Sequence, residues 1–87
     1  MRMNIEDIII QDSFKESVPN QLKMQLCRFN WLYWGGQDRK IVVTKDNTLI
    51  DGYIMYLILK EFNEKIAIVK KIDKLYEKDI RNSTNEV

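Results

Sequence analysis

Apolar positions along the chain alternate between β-branched runs and runs of helical period. Ile5-Glu6-Asp7-Ile8-Ile9-Ile10 ends in β-branched residues and predicts a short strand, bounded by the polar Gln11-Asp12-Ser13. Ser17-Val18-Pro19-Asn20 follows. A proline suits the first helical turn, so the pattern predicts a helix that starts at Ser17 or Val18 and runs toward Tyr33, stopped by Gly35-Gly36. At about 100° per residue, Leu22, Leu26, Phe29 and Tyr33 share one stripe of that helix, while Met24, Cys27, Trp31 and Trp34 share a nearly opposite one. A helix in a small two-layer domain buries one stripe. The second is either covered by a terminal segment or left for a partner.

Lys40-Ile41-Val42-Val43-Thr44 predicts a strand, Lys45-Asp46-Asn47 a turn, and Thr48-Leu49-Ile50 the returning strand of a tight hairpin. Asp51-Gly52 then opens a second helix, Tyr53 to Phe62, with Asp51 as its expected N-cap and Asn63 standing where a C-terminal glycine often does. This helix is apolar almost all round, the mark of a buried one. Lys65-Ile66-Ala67-Ile68-Val69 predicts a last strand, and Ile72, Leu75, Tyr76 and Ile80 have the approximate spacing of a short terminal helix. The fold class is α+β, in the order strand, helix, hairpin, helix, strand. Residues 1–80 are expected to form one domain and the polar residues 81–87 a frayed tail.

Composition narrows the chemistry. In 87 residues there is one Cys and no His. Ser-His and Cys-His dyads, His-ligated zinc, multi-cysteine metal sites and intramolecular disulfides are therefore excluded, and a reducing cytoplasmic setting is expected. Ile, Lys and Asn make up a third of the residues, which suggests an AT-rich coding genome. The longest purely apolar stretch, Tyr53 to Leu59, is far short of the roughly 20 residues needed to cross a bilayer, and no export signal or membrane partner is expected. A net charge of +1 argues against a protein held to nucleic acid by bulk electrostatics. The excess of Lys and Arg lies in residues 21–50, and a solvated surface of mixed sign is its simplest explanation.

Ile41-Val42-Val43, Asn47-Thr48-Leu49-Ile50-Asp51-Gly52-Tyr53, Tyr56-Leu57 and Lys60-Glu61 together resemble the ParB/sulfiredoxin-like fold of ParB N-terminal domains, in which a hairpin leads into an LIDGY turn and a helix. Pro19 and Lys23 also match a Pro-x-x-x-Lys that often starts the first helix of small members. The resemblance covers about 50 residues well, from Ile41 to Val69 and outward. It implies a phosphate site at the turn, where glycine admits a close ligand, helix N–H groups point outward and an Arg two residues beyond the Tyr completes the site. In this sequence that position is Met55, which offers neither charge nor fork. The sulfiredoxin cysteine and histidine are absent from Gly52-Tyr53-Ile54-Met55, which excludes that chemistry. The helix-turn-helix reader of full partition proteins does not fit in the eighteen residues after Val69.

Two functions from different classes follow. The first is a non-catalytic module that binds another macromolecule, with a protein favoured over single-stranded nucleic acid. Its surface would comprise Met24, Cys27, Trp31 and Trp34 with Arg28, Arg39 and Lys40 at the rim, because Trp and Arg dominate interface hot spots. The same stripe could pair in a homodimer. A phage or mobile-element regulator or inhibitor of a host nucleic-acid-processing enzyme fits this reading. The second is a nucleotide- or phosphate-binding protein, or a CTP or ATP phosphohydrolase, using Lys45, Asn47, Asp51, Gly52 and Tyr53. No cofactor and no metal is expected; Glu6 with Asp7, or Asp38 with Asp46, reads as ordinary solvated acids. Cys27, without His or Cys neighbours in sequence, reads as a small hydrophobe rather than a nucleophile.

Overall fold

The computed structural model describes residues 1–72. The expected helix of residues 72–80 and the tail of residues 81–87 thus fall, but for Ile72, outside the described residues.

The sheet is built on β2 (Ile41–Thr44), whose Ile41 and Val43 are fully buried. The hairpin predicted from sequence follows. Asn47 takes a left-handed φ of 71° in the turn, the Thr44 hydroxyl accepts from the Thr48 N–H at 3.2 Å, and β3 (Leu49–Asp51) returns antiparallel to β2. On the other side of β2 lies β4 (Ile66–Ile72), which is parallel to it and longer than its sequence suggests. Strand β1 (Arg2–Asn4) pairs antiparallel with β4 and completes the order β1-β4-β2-β3. Ala67 and Val69 of β4 point into the core and Ile66 and Ile68 away from it, the period of two expected of a sheet covered on one face.

The segment Ile5–Ile10 is not the strand its β-branching predicts. The Asn4 side chain accepts from the Glu6 N–H at 3.0 Å and starts a 3-10 turn, Ile5–Asp7, that places Ile5 and Ile8 together in the core. A strand would have sent those two side chains to opposite faces. Only Ile9 pairs, as a single bridge to Thr48 at the edge of β3. A short helix, α1 (Asp12–Lys15), follows where sequence suggested only a polar boundary, and its Phe14 ring packs 5.1 Å from that of Tyr53.

The first long helix, α2 (Gln21–Trp34), starts later than Pro19 predicts, because the Asn20 side chain caps it by accepting from the Lys23 N–H at 3.1 Å. It stops at Gly35, in the left-handed region at φ 72°, as expected. The second, α3 (Tyr53–Glu61), is preceded by Gly52 at φ 94°, and Asp51 is not its cap. Asp51 is the last residue of β3, across from Val42. Gly52 approaches β2 so closely that a Cβ there would stand 3.2 Å from the Ile41 Cα. Asn63 does take a left-handed φ of 58°, and the Glu64 N–H reaches back to the Leu59 carbonyl at 2.9 Å.

Met55, Ile58 and Leu59 press α3 onto the sheet. α2 rests on α3. Arg28 donates through Nε and a terminal nitrogen to both carboxylate oxygens of Glu61, at 2.6 and 2.9 Å, and the Trp31 ring stacks on Phe62 at 5.8 Å. These contacts, made by residues less than one turn apart, fix the rotation of α2 about its axis. They turn Met24, Cys27 and Trp31 inward.

Candidate functional site

That rotation decides which surface α2 presents. Leu22, Leu26, Phe29, Leu32, Tyr33 and Trp34 are between 55% and 71% exposed. The stripe Leu22, Leu26, Phe29 and Tyr33, which would make an ordinary core face, is on the outside. The stripe expected to meet a partner is largely not: Met24, Cys27 and Trp31 are half-buried, and Trp31 is held against Phe62. Of that set only Trp34 is exposed, its ring edge-on to Tyr33 at 4.9 Å. Arg28 is occupied by Glu61, which accepts its fork and is thereby held below the usual glutamate pKa, while the Arg28 guanidinium is pushed further up. Arg39 and Lys40 are exposed and follow the turn that ends α2, and Arg39 lines a cleft together with Leu26 and Asn30 of that helix.

A cleft of about 780 Å³ lies between α1, the first part of α2 and the start of α3. Asp51, Gly52, Tyr53 and Met55 form one wall, Phe14 and Pro19 lie on another, and Lys23 and Arg39 line it with positive charge. The first N–H groups of α3, which have no partner within the helix and no side-chain cap, belong to the same wall. Asp38, which lies 3.8 Å from Arg39 and accepts from Asn30 at 3.4 Å, offsets part of the positive charge, as does Asp51. Burial, and then the nearby Asp38, push the Cys27 thiol above its ordinary pKa, which suits a packed thiol and not a thiolate nucleophile.

The phosphate-site residues read from sequence divide between two places. Asp51, Gly52 and Tyr53 line the cleft. Lys45 and Asn47 do not: they sit in the β2–β3 turn, at the opposite end of the hairpin from Gly52. The reason is geometric, since Gly52 sits against Ile41 at the start of β2 and the turn follows its end. Lys23, which takes their place as the nearby cation, was legible only as part of the Pro-x-x-x-Lys match. Met55 is 1% exposed and belongs to the core as well as to the cleft floor, so an arginine's charge at that position would have to be accommodated among Ile41, Leu49 and Leu59. No group of Cys, Asp and Glu among the described residues is arranged to hold a metal ion.

The same arrangement of sheet and helices occurs in solved structures. A C2221 crystal form of a pNOB8-like ParB-N domain matches with a TM-score of 0.73 at 25% identity, over 91% of this chain. The fold is that of a ParB N-domain. A second pNOB8-like ParB N-domain structure matches at a TM-score of 0.69 and 26% identity over 84% of the chain. The ParB-N-like chain spans only 32% and 26% of the length of those two chains. No protein-family model and no curated protein matches the sequence. The LIDGY turn that carried the resemblance is, in this ParB-N-like domain, the junction of β3 and α3 and one wall of the cleft. No helix among the described residues is long and apolar enough to cross a membrane.

Proposed function

We propose that the chain is a non-catalytic binding module that acts through the outer face of α2 on another protein. The observation that carries this reading is the exposure of Leu22, Leu26, Phe29, Leu32, Tyr33 and Trp34 side by side on one helix. Contiguous apolar patches beyond a few hundred Å² are uncommon on monomeric proteins unless they bind something, and aromatic side chains dominate such contacts. Two further features support a role without catalysis: a core methionine stands at the position that the resemblance assigns to a phosphate-binding Arg, and the cysteine thiol is raised rather than activated. A regulator or inhibitor carried by a mobile element and aimed at a host nucleic-acid-processing enzyme agrees with this module. Affinity capture from host extract tests the reading. The wild type should retain a protein partner that Leu26→Glu and Phe29→Glu each lose while keeping the wild-type circular dichroism spectrum; equal retention by both variants would exclude the α2 face.

A second reading rests on the cleft, where Lys23, Arg39 and the uncapped start of α3 converge on a space large enough for a nucleotide. Calorimetric titration with CTP and ATP in the presence of magnesium distinguishes it. Saturable heat that disappears in Lys23→Ala or Arg39→Ala would favour this reading, and its absence leaves the cleft as a packing feature.

A further inference from the structure

We draw no further inference here: the strongest candidate, the exposed apolar stripe of Leu22, Leu26, Phe29 and Tyr33 on the outer face of α2, already carries the proposed function, and nothing in the structure shows what covers it.

Discussion

α2 and α3 are both rich in large apolar residues, and the structure uses them in opposite ways. In α3, Met55, Ile58 and Leu59 are no more than 1% exposed, whereas α2 has no fully buried residue. The difference lies in connection and not in hydrophobicity. α3 links β3 to the parallel partner of β2 and must lie on the sheet to make that crossover. α2 is joined to the sheet at its C-terminal end by the loop from Gly35 to Lys40, and it reaches the core only through the edge formed by Cys27 and Trp31. Apolar content therefore identifies a helix that will meet something. Topology decides whether that partner is the chain's own sheet.

The same substitution made on both helices would break this comparison most directly. Leu59→Ala should destabilise by about 2–5 kcal/mol and lower the midpoint of thermal unfolding by roughly 10 °C or more. Leu32→Ala, at 66% exposure, should stay within about 0.5 kcal/mol of wild type. Comparable losses at the two sites would mean that α2 is covered within one chain. Gly52→Ala addresses the junction that commits α3 to the sheet. A left-handed φ and a Cβ 3.2 Å from the Ile41 backbone should together cost about 1–3 kcal/mol, read from denaturant unfolding.

The smallest effect lies between the helices. Arg28 holds the Glu61 carboxyl below its ordinary pKa. The pair therefore supports the folded state above the unfolded glutamate pKa, and that support disappears as pH falls through the lowered value. Both side chains are solvent-exposed, so the effect is modest and weakened by salt. Thermal unfolding of wild type and Glu61→Gln, followed from neutral to acid pH, should show a small gap that closes at the acid end; a gap that widens there would assign the docking of α2 to other contacts.

The parts of the fold legible in sequence were those with a local cause. The hairpin, the left-handed Gly35 and Asn63, and the burial of α3 each follow from residue type and spacing within a few positions. Ile5–Ile10 departs from its pattern because β-branching favours a strand, whereas the Asn4 side chain diverts the backbone into a 3-10 turn that uses Ile5 and Ile8 as a pair. The stripes of α2 were legible but their assignment was not. Both had helical period, and the choice rests on Arg28 meeting Glu61 and Trp31 meeting Phe62, contacts that join residues more than thirty positions apart. The cleft was half legible. Asp51–Tyr53 lay in the turn that carried the family resemblance, while Lys23 and Arg39 reach it only because α2 and its following loop fold back over α3's start.

The loop after α2 is tied down by a side chain. Gln37 accepts from the Ile68 N–H at 2.9 Å through Oε1 and donates through Nε2 to the carbonyls of Ile68 and Arg39, at 2.7 and 2.8 Å. Ile68 lies one step before Val69, the first β4 residue paired with β2, so the Gln37 amide occupies the place of a missing strand residue. Hydrogen exchange at the Ile68 amide consequently reports on the loop and, through it, on the seating of α2, even though the atom belongs to the sheet. A partner that levers α2 away from α3 would leave its trace as faster exchange in the middle of a β-strand.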